Sequence, residues 1–490
     1  MPSTRLSRKH IDRGYGSPVR NRYLDLLRAA AILRVIVYHL FGWSWLSIVM
    51  PAMGVMFALA GSLTAASLEK RPANRVVTSR LRRLLPPLWL LGLMAVPVMI
   101  ALGWAQEEDG EHPFTPWKLA FWILPLGDPP GSELGVDSWE PLWYIRAYVW
   151  FILLSPILWL LWKRLGPACW LLVLAPIAAI ALLDKTGFGL PETADVVMWD
   201  FVTYAACWIM GFAHRDGRLA RLRPATVVTL VLLLGGAALY YQNGHQGEDA
   251  WDLNDVSESQ SLYSLAFVLL ALRWQPSMAW LSRLRPLDRA VTLLNNRAVT
   301  VYLWHNLAIA AIWPVLTFLA LDDLGHLEKP VTLAMTFLLT GVAVVLFGWV
   351  EDLAAQRRPR LWPDTTPART TPAAPAPARP EGHAPADAEP VGPLPAGWPQ
   401  AGWTDTGRDG QPFAGRPPAG VTGHPVAGVN GHPPTGHPPT GHPSTGRPPG
   451  GASRHSAEPS PGRWAQRRER RAAKKREENN LIPTWWAPEE

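Results

Sequence analysis

Residues Tyr23–His39 read YLDLLRAAAILRVIVYH, a run of membrane length that is apolar except at Asp25, Arg28, Arg34 and His39. Lipid alone penalises such groups. Asp or Arg at the centre of a spanning helix costs roughly 2.5 to 3.5 kcal/mol on an insertion scale, less where the side chain snorkels to an interface. This helix therefore requires a protein interior or a water-filled cavity along one side. Arg28 and His39 are eleven positions apart, about three helical turns or ~16 Å, so one face carries both. Arg34 falls off that face and is expected as an ion pair within the bundle or as a snorkelling group. Asp25 lies too far down the helix to orient His39.

Working outward, further membrane-length runs follow at about 46–68, 84–104, 141–162, 167–183, 196–213, 224–242, 259–273, 298–318 and 331–350. The connections between them alternate in charge. Lys70, Arg71, Arg75, Arg80, Arg82 and Arg83 fill one, and Arg215, Arg218, Arg221 and Arg223 another. The intervening ones are acidic, with Glu107, Glu108, Asp109 and Glu111 in the first and Glu248, Asp249 and Asp252 in a later one. The positive-inside rule then places both termini in the cytoplasm of a cell-membrane protein. The expected fold is all-α: a polytopic integral membrane helical bundle of about ten transmembrane helices with a disordered C-terminal tail. Its parts are a basic cytoplasmic N-terminus (1–22), a membrane domain (23–352) and a cytoplasmic tail (353–490). Pro86 and Pro87 suit the first turn of the third span, and FWILPLG (121–127) is too short to cross, so it is expected as an interfacial or re-entrant piece.

Composition agrees once the two halves are separated. The 490 residues have a mean hydropathy of only +0.04, because long apolar runs are averaged with a Pro-rich end. The repeated unit in TGHPPTGHPPTGHPSTGRP supplies no hydrophobic core. That tail suits a protein partner, and its His424, His432, His437 and His442 are read as adventitious metal binders at most. The charge of +7 is explained by topology, so no nucleic-acid partner is expected. Cys169 and Cys207 both lie within spans and are expected as buried apolar groups. No P-loop, HExxH or GxSxG motif occurs, and no metal site is expected.

A neutral His39 can take the proton of an attacking hydroxyl, since its ordinary titration range is near physiological pH. Glu140 is a candidate partner or acceptor-binding carboxylate. Arg28, Arg80 and Arg83 suit the phosphates of an activated donor, because guanidinium groups pair with phosphate through two parallel bonds. His305 in VYLWHN lines the same cavity or bonds a neighbouring helix, and Trp143 and Tyr144 line an acceptor path or belong to an interfacial aromatic belt. Gly54 and Gly61 are expected to permit close helix packing.

The stretch LDLLRAAAILRVIVYH, the Arg80/Arg83 pair, LWYIRAYVWFILLSP and VYLWHN together resemble the type 3 acyltransferases, multipass membrane enzymes that include bacterial cell-surface polysaccharide O-acetyltransferases. The resemblance covers about residues 20–352. It implies an acyl-CoA cosubstrate, usually acetyl-CoA, with no bound cofactor, and delivery to a hydroxyl of an extracytoplasmic glycan, lipid or related envelope compound. It implies His39 as the main catalytic residue and Arg28, Arg80 and Arg83 in catalysis or donor binding, with membrane lipid as the surrounding partner. The chain departs from relatives in reading PAMGVMFALAGSL where many carry an acidic, Phe-rich stretch. Direct transfer and a transient acyl-histidine both remain open, as do two other classes: a transporter of an anionic lipid-linked or glycan-like compound, and a membrane scaffold.

Overall fold

The computed structural model describes residues 21–106, 112–245, 251–321 and 324–361, the side chains of Glu192 and Ser282 excepted. The Pro/Gly-rich segment and its histidines, expected as a disordered tail, lie outside the described residues. Every regular element among those described is helical. The long helices are α1 (Arg22–Phe41), α2 (Ala52–Leu68), α3 (Ala73–Ala101), α4 (Trp143–Arg164), α5 (Leu171–Thr186), α6 (Glu192–Arg215), α7 (Pro224–Gly244), α8 (Ser257–Arg273), α9 (Arg285–Asn296), α10 (Ala298–Ala310), α11 (Ile312–Phe318) and α12 (Glu328–Ala354).

Seven helical segments are long and apolar enough to cross a membrane, or eight if α10 and α11, bent by 49° at their junction, count as one crossing. The protein is thus a multi-pass membrane protein. The two helices that separate eight from the expected ten are α1 and α8. Four charges break the apolar character of α1, namely Arg22, Asp25, Arg28 and Arg34, and α8 is only 17 residues long. Neighbouring helices shelter the polar groups of α1: Asp25 and Arg34 are buried.

Contacts between connections join like with like. At the basic end Asn21 donates to Gln275 (2.6 Å), Arg215 pairs with Glu69 (2.7 Å), and Lys163 and Arg218 both hold Asp216. At the acidic end Tyr38 bonds Asp252, Leu253 N–H donates to Ser47 Oγ (3.0 Å) and Tyr263 donates to the Ile48 carbonyl (2.8 Å). The alternation of charge along the chain is therefore matched by two spatially separate groups of connections.

Local chemistry sets the ends of α1. The Asn21 side chain accepts from Tyr23 N–H, and Gly42, at φ +63°, stops the helix in the left-handed conformation that glycine adopts freely. The third span corrects the expectation. Its helix begins at Ala73, so Pro86, Pro87 and Pro97 lie in its interior instead of opening it. Neighbouring helices re-satisfy the backbone groups that proline frees in such a setting. In consequence Arg75, Arg80, Arg82 and Arg83 stand on the first turns of a 29-residue helix and not on a loop.

Small residues bring α2 and α6 together. A Cβ on Gly61 would come within 2.2 Å of the Trp208 carbonyl oxygen, and one on Gly211 within 2.2 Å of the Ala58 carbonyl oxygen. The backbones touch there, as close packing in lipid favours. Beside this crossing Phe57 is enclosed by Tyr144, Phe151 and Tyr204, with ring centroids at 4.9, 5.0 and 4.9 Å.

The connection between α3 and α4 folds back on the bundle. One of its short helical turns, Ala120–Ile123, lies against α3, where Gly92 leaves room for the Trp122 ring. Indole N–H groups satisfy its carbonyls: Trp89 donates to Ile123, Trp104 to His112, Trp122 to Pro130, Trp139 to Ser132 and Trp150 to Leu126, all at 2.8 to 3.0 Å. An irregular backbone at a membrane surface needs such partners. For these tryptophans the structural task is pinning that segment.

Candidate functional site

Helix α1 carries one polar-apolar stripe. Arg28, Ile32, Val35, Ile36 and His39 recur at the three- and four-residue spacing that keeps them on one side. At its basic end the stripe is fixed against α9. Asn295 donates to the Asp25 carbonyl (2.8 Å) and accepts from Arg28 Nη1 (3.4 Å), while Arg22 bridges Asp25 (3.2 Å) and Asp288. Asp25 thus serves the helix start, away from His39. Arg28 also lies within electrostatic range of Tyr144 and Tyr148 on α4 and Arg80 on α3.

At the other end His39 meets His305 of α10. The two rings stand edge to face with centroids 5.2 Å apart. His305 is buried, and its Nδ1 is 2.6 Å from the Tyr302 carbonyl oxygen. A carbonyl only accepts, so Nδ1 bears the proton and Nε2 of the neutral ring holds a lone pair. That Nε2 is buried without a hydrogen-bond partner. His39 is exposed in area although protein atoms crowd it on most sides, as for a residue lining a crevice.

Between the arginine and the histidines the stripe borders a small cavity of about 10 Å³. Ile32, Val35 and Ile36 from α1, Met53 and Met56 from α2 and Val301 from α10 wall it. Tyr144, Tyr302 and His305 complete the lining. Tyr144 is buried and stands 5.1 Å, ring to ring, from Tyr302. Trp143 instead stacks on Tyr204 (5.9 Å), packing against α6. Glu140, half-buried, opens the short turn before α4 and lies next to Asp137.

The basic end of α3 provides a second feature. Arg71, Asn74, Arg75, Thr78, Ser79 and Arg82 line an open groove of about 460 Å³. Arg80, on the side toward Arg28, donates to Ser67 Oγ (3.4 Å), and exposed Arg83 feels Arg71, Arg80, Arg82 and Arg357. Among the described residues none of these α3 arginines, nor Arg71, forms a salt bridge with a carboxylate. Unneutralised guanidinium groups around polar hydroxyls make an anion-binding surface. Of the arginines expected to hold a donor, Arg80 lies within electrostatic range of both Arg28 and Arg83, and none of the three lines the groove.

Arg34 takes neither of its expected roles. It is buried, donates from Nε to the Leu46 carbonyl (3.1 Å) and lies over the Tyr38 ring at 4.6 Å. Sequence reasoning also passed over Arg146, which is 1% exposed and clasped by Asp128 and Asp200. Its signal was a lone cation inside WYIRAYVWFILL. The Asp128 arm ties the folded-back α3–α4 connection to α4 and α6.

Comparison with curated proteins and with solved structures returns no match. A family model described as an acyltransferase domain matches residues 21–350, which takes in α1, the arginines of α3, Glu140 and the His305 segment together. A match over two thirds of the sequence that contains the whole Arg28–His39 stripe settles the class: this chain belongs to the type 3 acyltransferases and is a membrane acyltransferase.

Proposed function

We propose that this enzyme moves an acetyl group from cytosolic acetyl-CoA to a hydroxyl of an extracytoplasmic glycan, lipid or related envelope compound. The observation that carries the reading is the α1 stripe, with an arginine-rich surface at one end and the His39–His305 pair at the other. The chain crosses the cell membrane ten times in this reading, α1 and α8 being the two polar crossings, with the basic end and both termini cytoplasmic.

In this mechanism Arg28, Arg80 and the groove arginines hold the phosphates of the donor. His39 removes the proton of the acceptor hydroxyl as its oxygen attacks the thioester carbon. The C–O bond forms, the C–S bond breaks, and the imidazolium returns its proton to the departing thiolate. The lone pair of His305 Nε2 lies beside His39, where it can accept a ring N–H and orient the base. Tyr144, between Arg28 and the cavity, lines the path of the acyl group, and Glu140 stands as a carboxylate on the acceptor side.

The test is protein purified into lipid, given acetyl-CoA labelled in the acetyl group and an extract of envelope lipids and glycans. Label should enter an envelope compound with the unchanged protein and not with His39→Ala. Label moving equally well with His39→Ala would overturn the histidine mechanism. An envelope compound crossing the bilayer without any acyl transfer would replace the reading with transport.

A further inference from the structure

The cavity beside His305 lies on the α1 stripe between the donor-side arginine and His39. The line from Arg28 toward His39 along the helix runs past Ile32, Val35 and Ile36, and all three line the cavity. The surface it exposes is wholly apolar. A trapped water needs two to four polar partners, so a space of this kind stays dry. Its volume of about 10 Å³ admits one group of roughly water size. A methyl group is somewhat larger but needs no hydrogen bond, and the adaptable methionine walls can accommodate the difference.

We propose that this cavity is the acyl pocket of the enzyme, that it receives the methyl of a two-carbon acyl group, and that Met53 and Met56 set the chain-length limit. The inference rests on the acyl-transfer reading above and adds the residues that choose the acyl chain. The two methionines lie one turn apart on α2 and form the wall opposite α1. Ile32, Ile36 and Val301 are stiff, β-branched walls. Methionine is the adaptable component, and shortening it is the direct way to lengthen the pocket. The dry wall also has a chemical consequence: it keeps water away from the thioester while His39 waits for an acceptor hydroxyl.

The experiment compares acetyl-, propionyl- and butyryl-CoA as donors for unchanged protein, Met56→Ala and the milder Met56→Val, with Met53→Ala as an independent enlargement. Unchanged protein should strongly prefer acetyl-CoA. Each methylene in an apolar pocket is worth about 10- to 200-fold in discrimination. The ratio of kcat/KM for butyryl-CoA over acetyl-CoA should therefore rise by at least about 10-fold in Met56→Ala, and by less in Met56→Val. A ratio, taken within one preparation, is unaffected by partial loss of folded protein. Unchanged ratios in all three variants of a protein that transfers acetyl groups would overturn the pocket and leave the transfer reading standing. If unchanged protein transfers no acyl group from any of the three donors, the transfer reading falls and the pocket with it.

Discussion

The two ends of the α1 stripe are built on opposite principles. The groove on α3 is open, lined by Arg71, Arg75 and Arg82, and among the described residues those charges have no carboxylate partners. The chamber near His39 is apolar and small, and His305 on its wall has a buried Nε2 without a hydrogen-bond partner. Charge that is left unneutralised in water is suited to catching a polyanion. A buried lone pair that is left unpaired is suited to moving or holding a proton. Arg28 and His39 are about 16 Å apart along α1, so on the proposed reading capture and chemistry are separate, and substitutions should separate them in kinetics.

The largest effect should come from the chemical end. His39→Ala should lower kcat by roughly 10²- to 10⁴-fold, the usual contribution of a positioned acid–base group. Donor affinity, read by equilibrium binding of labelled acetyl-CoA, should stay nearly unchanged. A large loss of donor binding in this variant would mean that the two ends are one site. The converse variant is Arg80→Ala, which should raise the Kd for acetyl-CoA by roughly 10- to 100-fold, in keeping with a lost charge-assisted bond. Arg80→Lys should recover only part of this, because an ammonium group does not reproduce the two-pronged contact. Full recovery by lysine would indicate that Arg80 supplies charge alone.

The stripe itself was legible because helical period is a property of sequence: once α1 is a helix, Arg28 and His39 must share a face. The meeting of His39 with His305 was not, since it depends on how α10 packs against α1. Periodicity ranks faces within a helix and says nothing of which helices touch. The extent of α3 was misjudged for a different reason. The rule that proline opens a helix holds best in water, while three prolines persist inside α3, where neighbouring helices and lipid leave helical hydrogen bonding as the best available option. Two helices fall short as spans for different reasons, α8 in length and α1 in apolarity. The charges that make α1 a poor hydrophobic span also fix its position, Arg22 and Arg28 through α9 and Arg34 through the Leu46 carbonyl. The five indole bonds to the α3–α4 connection show the limit of composition: the sequence has 26 tryptophans, but counting them does not give their hydrogen-bond partners.

Salt sharpens the comparison further with a smaller effect. Screening length falls from about 10 Å at 0.1 M ionic strength to about 3 Å at 1 M. The exposed groove should feel this and the apolar chamber within the bundle should not. KM for acetyl-CoA should thus rise severalfold over that range while kcat holds steady, when activity is followed in lipid of zero net charge. A fall in kcat with constant KM would place the salt-sensitive step at the histidines.

The smallest effect tests whether the bare arginines of the groove differ from the paired ones nearby. Asp216, just past the end of α6, accepts from Arg218 Nε (2.7 Å), Trp162 Nε1 (3.2 Å) and Lys163. Burial alone would raise its pKa, but the bonds from Lys163, Arg218 and Trp162 outweigh that and hold it below the usual carboxylate value. A carboxylate with a depressed folded-state pKa contributes stability that is present above its unfolded value and is lost as pH falls through the folded one. Asp216→Asn should accordingly lower stability at neutral pH by roughly 1 kcal/mol or less, as for a pair with a half-exposed lysine. It should also flatten the decline of Tm on acidification through about pH 4. Donor affinity should not change, because Asp216 neutralises Lys163 and Arg218 and leaves the groove on α3 alone. A change in acetyl-CoA binding by Asp216→Asn would mean that Arg218 belongs to the donor surface and that the anion site extends across the basic end from α3 to α6.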